Sequence, residues 1–173
     1  DVHYIGAANS VEEGLVANLP GVTYHTVAVG KLRRYFDLKN FSDPFRVIKG
    51  VDQARRIIHR IRPDVVFSKG GFVSVPVVYG AWLNRVPVVI HESDMTPGLA
   101  NKLSVPFAKA ECCTFPEAVQ YARGKGVYTG TPLRAEIFAG DPQRGRERFG
   151  LTGSKPVLMV MGGAELGLAY GKL

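Results

Sequence analysis

Twice in close succession an apolar, β-branched run breaks off at a glycine or polar cluster and continues as a helix, and nothing else in the chain limits the fold as tightly. The first run is Phe67-Ser68-Lys69-Gly70-Gly71-Phe72-Val73-Ser74-Val75-Pro76; the second is Val88-Val89-Ile90-His91-Glu92-Ser93-Asp94-Met95-Thr96-Pro97-Gly98-Leu99-Ala100-Asn101-Lys102. Strands joined through helices at this interval pair in parallel by right-handed crossovers, so the pattern predicts a doubly wound α/β sheet. Such sheets bind ligands at the carboxyl ends of their strands, where helix N-termini offer unpaired N–H groups. The second junction also gathers His91, Glu92, Asp94 and Asn101, a dense set of hydrogen-bonding groups for a strand end.

The same alternation extends in both directions. Val2 to Gly6 reads as a strand already under way at residue 1, Asn9 or Ser10 as the cap of a helix through Leu19, and Val22 to Val29 as a second strand. Ser42-Asp43-Pro44 starts a helix whose apolar positions Val47, Ile48, Val51, Ala54, Ile57, Ile58 and Ile61 recur at helical spacing. Arg46, Lys49, Arg55, Arg56, Arg60 and Arg62 make its other face strongly basic. Helix, strand, helix and strand follow over Val73 to Leu83, Pro87 to His91, Pro97 to Phe107 and Ala110 to Phe115, and Val127 to Thr129 is a last short strand. Residues 135–155 form a polar, Arg-, Gly- and Pro-rich link with a short amphipathic piece near Arg144 to Phe149. Pro156 to Gly163 then reads as a further strand with a glycine turn. The organisation expected is a domain over 1–134, a linker over 135–155 and the start of another domain over 156–173, entered and left in mid-fold.

A length of 173 residues with 46% apolar side chains suits one ordinary core. No apolar run approaches the roughly 20 residues that span a bilayer, and no basic stretch followed by an apolar one opens the chain, which predicts a soluble or peripheral protein. Cys112 and Cys113 are adjacent and alternate in facing, so they are expected to pack rather than to bridge, as in a reducing cytoplasm. Lys and Arg number 22 against 15 acids, a net charge of +7 that draws polyanions: nucleic acid, an anionic membrane or phosphorylated substrates. Nucleic acid is the weaker reading, because no recognition motif accompanies the charge. Lys31, Arg33 and Arg34 interleaved with Tyr35, Phe36 and Phe41 suit a membrane interface, or else a plain surface loop.

Gly70-Gly71-Phe72-Val73-Ser74, His91-Glu92-Ser93-Asp94 with Gly98 to Lys102, Gly130-Thr131-Pro132-Leu133-Arg134 and Met161-Gly162-Gly163 occur in the order found in MurG-type glycosyltransferases, and over about residues 2–163 the chain resembles that family. The resemblance implies the acceptor half of a GT-B fold, two Rossmann-like domains with a cleft between them. It implies inverting transfer of N-acetylglucosamine from UDP-N-acetylglucosamine to lipid I, giving lipid II for peptidoglycan. No metal and no cofactor beyond the nucleotide sugar is implied. The expected setting is the bacterial cytoplasm, peripheral on the inner face of the membrane, with a polyprenyl-diphosphate lipid, an anionic membrane surface and cell-wall synthesis proteins as partners and no nucleic acid.

By that resemblance Gly70, Gly71, Phe72, Ser74, Asp94 and Asn101 bind the acceptor, and His91 and Glu92 support catalysis while the base itself lies upstream of Asp1. Thr131, Arg134, Gly162 and Gly163 approach the donor, and Trp82 joins Lys31, Arg33, Arg34, Tyr35, Phe36 and Phe41 in a membrane contact. Asp94, Thr131 and Ala164 depart from the residues common in the family. On residues alone each role has a plainer counterpart: a tight turn at Gly70 and Gly71, a buried hydrogen-bonded His91, a loop-holding Asn101, a linker salt bridge for Arg134, a packed Trp82. The competing functional reading is a noncatalytic, membrane-associated lipid-binding or scaffold subunit that needs a separate donor-binding chain.

Overall fold

The computed structural model describes residues 1–29, 43–153 and 155–159. The chain divides into two compact units, Asp1–Pro132 and Leu133–Leu173. In the first, β1 (Val2–Gly6), α1 (Val11–Val16) and β2 (Val22–Thr26) precede α2 (Asp43–Ile61), β3 (Val66–Ser68), α3 (Ser74–Leu83), β4 (Val88–Glu92), α4 (Leu99–Ser104), β5 (Ala110–Cys113) and β6 (Gly126–Tyr128). Among the described residues the strand pairings are parallel: β1 with β2 in one ladder, and β3-β4-β5-β6 in chain order in the other. The parallel α/β class read from the alternation is the one present.

Local chemistry explains where the elements stop. Ser10 Oγ accepts from Glu13 N–H at 3.2 Å and Glu13 reaches back to Asn9 N–H at 2.6 Å, which starts α1. Helix α1 ends at Val16 rather than at Leu19, and its single buried side chain, Val16, gives it little to hold it longer. Arg62 takes φ +53° and Pro63 follows, ending α2. Strand β2 stops at Thr26, short of Val29, but Val27 enters the core.

The core lies between α2, α3 and one face of the larger sheet, built from Val27, Ala54, Ile58, Val77, Val78, Ala81, Val88, Ile90, Val105 and Ala108. Helices α2 and α3 cross closely because the contact is made of small residues: a Cβ on Gly80 would lie 2.8 Å from Arg55 N and 3.0 Å from Ala54 Cβ. Ile48 does not join this packing as its spacing suggests; it is 65% exposed. From Ala54 it is turned by about 120° around the helix, outside the buried stripe.

In the second unit α5 (Pro142–Arg148) is capped by Asp141, whose Oδ1 accepts from Gln143 N–H at 2.8 Å and Arg144 N–H at 3.3 Å. The Arg146 guanidinium donates to the carbonyls of Gly153 and Lys155, each at 3.0 Å. Residues 156–159, expected as a strand, carry no ladder. A lone extended segment with no neighbouring strand among the described residues has nothing to bond to.

Candidate functional site at the carboxyl edge of the sheet

The carboxyl ends of β3 and β4 lie side by side, because Val66, Phe67 and Ser68 pair with Val88, Val89 and Ile90. The chain leaves β3 through Lys69 into Gly70 and Gly71, at φ +91° and +83°. Side chains rarely adopt such angles, so two successive glycines are what this turn requires. Ser74 closes it: both its N–H, at 3.1 Å, and its hydroxyl, at 2.6 Å, donate to the Gly71 carbonyl. Phe72 is 44% exposed beside the turn.

At the end of β4, Glu92 is 4% exposed and organises the loop that follows. Its Oε1 accepts from Asp94 N–H at 2.9 Å, and its Oε2 accepts from Gly98 N–H at 3.3 Å and Asn101 Nδ2 at 2.8 Å. Asn101 Nδ2 also donates to the His91 carbonyl at 3.3 Å. Asn101 is only 5% exposed, yet its Oδ1 has no hydrogen-bond partner. That oxygen faces the turn, where a Cβ on Gly70 would lie 3.1 Å from it. A buried acceptor left open is costly unless a donor reaches it.

His91 is 2% exposed. Its Nδ1 lies 2.9 Å from Lys69 Nζ and its Nε2 lies 3.2 Å from the Gly130 carbonyl oxygen. Lys69 Nζ also donates to Ser93 Oγ at 2.9 Å. Gly130 reaches this spot because it folds back over the end of β5 at φ +72°, donating to the Cys113 carbonyl at 3.2 Å. One strand position further in, Glu111 is 2% exposed, and burial, helped by the Glu92 carboxylate, pushes its carboxyl up to about 6.

Gly70, Gly71, His91, Glu92, Asp94 and Asn101 are thus brought to one edge, while the Ser74 hydroxyl is used inside the turn. Thr131 is exposed at the end of the first unit, and Arg134 is exposed in the second. Trp82 is 51% exposed on α3 and meets Phe107 edge-on, with ring centroids 5.1 Å apart. Gly162, Gly163, Lys31, Arg33, Arg34, Tyr35, Phe36 and Phe41 lie outside the described residues. No sequence motif marks Lys69 and Gly130 as the side-chain and backbone partners of His91. Their one sequence signal is position, a cation directly after a strand and a glycine directly after another. Among the described residues no group of three His, Cys, Asp or Glu side chains is placed to hold a metal ion.

The fold and this edge define a parallel α/β domain whose strand ends and glycine turn form the edge at which sheets of this kind bind ligands. The chain belongs to glycosyltransferase family 28: residues 1–113 match the Glycosyltransferase family 28 N-terminal domain. A UDP-N-acetylglucosamine--N-acetylmuramyl-(pentapeptide) pyrophosphoryl-undecaprenol N-acetylglucosamine transferase of Clostridium tetani (strain Massachusetts / E88) is 54% identical over 165 residues, 95% of this chain and 46% of that protein. A transferase of the same name from Geobacillus kaustophilus (strain HTA426) is 56% identical over 165 residues, with the same coverage of 95% and 46%. The chain therefore spans about half the length of the curated relatives it matches. The crystal structure of Acinetobacter baumannii MurG superposes with a TM-score of 0.59 at 24% identity, over 79% of this chain and 38% of that one, a likeness of fold.

Proposed function

We propose that the native protein containing this chain transfers N-acetylglucosamine from UDP-N-acetylglucosamine to the pyrophosphoryl-undecaprenol-linked N-acetylmuramyl-pentapeptide lipid, and that the residues described here hold the lipid-linked acceptor. The observation that carries the reading is the open Asn101 Oδ1 beside Gly70 and Gly71. A sugar hydroxyl or acetamido N–H is the donor such an oxygen lacks, and the side-chain-free turn lets a bulky diphosphate-linked sugar come close. The names of the transferases that share more than half of this chain's residues support the same substrate pair.

Within this reading Glu92 shapes the acceptor loop, Asp94 and Phe72 border the sugar, and Thr131 and Arg134 approach the donor diphosphate, for which a guanidinium fork is suited. Charge on the departing nucleotide is met by such groups and by helix N-termini, so the proposed reaction uses no metal or cofactor. Among the described residues no helix is long and apolar enough to cross a membrane. A peripheral seat on an anionic bilayer is supported by the surface of α2 and α3, where Ile48 and Leu83, 65% and 49% exposed, line a shallow groove with Arg55, and by Trp82, 51% exposed on α3.

The test is transfer of labelled N-acetylglucosamine from UDP-N-acetylglucosamine to lipid I by the native protein. Product with the mobility of lipid II is expected, and Asn101→Ala is expected to raise the KM for lipid I more than that for the nucleotide sugar. A folded native protein that binds lipid vesicles but forms no product would favour the scaffold reading instead.

A further inference from the structure

We propose that Lys69 is a positioning residue: its ammonium holds the His91 ring in the tautomer that carries the proton on Nε2, and through that proton fixes the Gly130 carbonyl beside the glycine turn.

An ammonium group has donors and no acceptor, so the nitrogen 2.9 Å away, His91 Nδ1, accepts. A neutral imidazole then carries its proton on Nε2, which is where the structure presents an acceptor, the Gly130 carbonyl oxygen at 3.2 Å. Both ring nitrogens are engaged, and the ring is 2% exposed, so His91 has no lone pair to offer a substrate hydroxyl. Its part is to transmit position. The chain Lys69–His91–Gly130 crosses the carboxyl edge from the end of β3, over β4, to the segment after β6. Thr129 Oγ1 adds a second donor to the Gly130 carbonyl at 3.3 Å, and Ser93 Oγ takes another ammonium proton at 2.9 Å. Lys69 is bonded directly to Gly70, and Gly130 directly to Thr131, so one cation sets the glycine turn and Thr131 against each other. Its effect on transfer rests on the proposed transferase reading; the ring tautomer does not.

The experiment is side-chain ¹⁵N–¹H correlation of the histidines in the native protein, in Lys69→Met and in Lys69→Arg, with His91 assigned by His91→Gln, together with transfer kinetics. The wild-type ring is expected to show a protonated Nε2 and a bare Nδ1. In Lys69→Met the ring should populate both tautomers and kcat should fall by about ten- to a hundredfold, up to the scale that a misplacement of about 1 Å produces. Lys69→Arg, which still donates, should restore the wild-type ring pattern and most of the rate. A wild-type ring protonated on Nδ1, or a ring pattern unchanged in Lys69→Met, overturns the lock. A changed ring with a kcat within twofold of wild type overturns its role in the reaction. If the wild-type protein transfers nothing, the transferase reading fails while the ring pattern still decides the lock.

Discussion

Glu92 Oε2 and Asn101 Nδ2 meet at 2.8 Å, and this contact ties the end of β4 to the first turn of α4 across the loop between them. The carboxylate can serve the loop only because it is an acceptor at both oxygens. Glu92→Gln keeps the shape but turns one oxygen into a donor facing N–H groups. The variant should lose about 1–3 kcal/mol, the cost of a buried donor left without an acceptor. Urea unfolding of the native protein checks the loss; an unchanged midpoint would show that the loop is held by other means.

Gly70 and Gly98 make a contrasting pair. An alanine at Gly70 would be strained at φ +91° and would place its Cβ 3.1 Å from Asn101 Oδ1. At Gly98, φ is −66° and the Cβ position is open. Gly70→Ala should destabilise by about 1–2 kcal/mol and, on the proposed reading, weaken acceptor binding, whereas Gly98→Ala should change stability by no more than about 0.5 kcal/mol, because the poorer N-cap offsets the stiffer unfolded chain. Thermal unfolding with KM measurements separates the two, and equal costs at both positions would remove the special status of the turn.

The strands of the larger sheet were legible because β-branched runs ending in glycine or polar clusters have few other uses, and the crowding of Glu92, Asp94 and Asn101 followed from their closeness along the chain. Ile48 was misplaced because helical spacing admits a wider stripe than α3 can cover. The partnership of Lys69 with His91 was not legible, since it depends on the β3–β4 register, which brings residues 22 positions apart into contact. The use of the Ser74 hydroxyl inside its own turn was likewise invisible until the positive φ values of Gly70 and Gly71 fixed the backbone.

Lys125 offers a prediction outside the site. Its ammonium donates to the carbonyls of Val105, Pro106 and Ala108 at 3.1, 3.0 and 2.7 Å, so all of its protons are used on the chain end that follows α4. The same residue's carbonyl accepts from Glu111 N–H at 2.9 Å, which pins this clamp to β5. Lys125→Met keeps the stem and removes the donors. A loss of about 2 kcal/mol is expected, limited by water reaching the freed carbonyls. Denaturant unfolding would show it as a lower midpoint with unchanged slope, and Lys125→Arg should recover part of it.

The Glu111 carboxyl, pushed from 4.5 up to about 6 chiefly by burial and then by Glu92, makes stability depend on pH in the direction opposite to a salt-bridged acid. Between the two values the folded protein holds a proton that the unfolded chain has released. Stability from this group is therefore full below 4.5, falls as pH rises toward 6, and is flat above it. The shift corresponds to about 2 kcal/mol. Other groups titrate over the same range, so the informative quantity is the difference between Glu111→Gln and wild type. That difference should move in favour of the variant by about 2 kcal/mol from pH 4 to pH 7, read from urea unfolding at a series of pH values. A difference that stays constant across the series would mean that Glu111 titrates as it does in the unfolded chain.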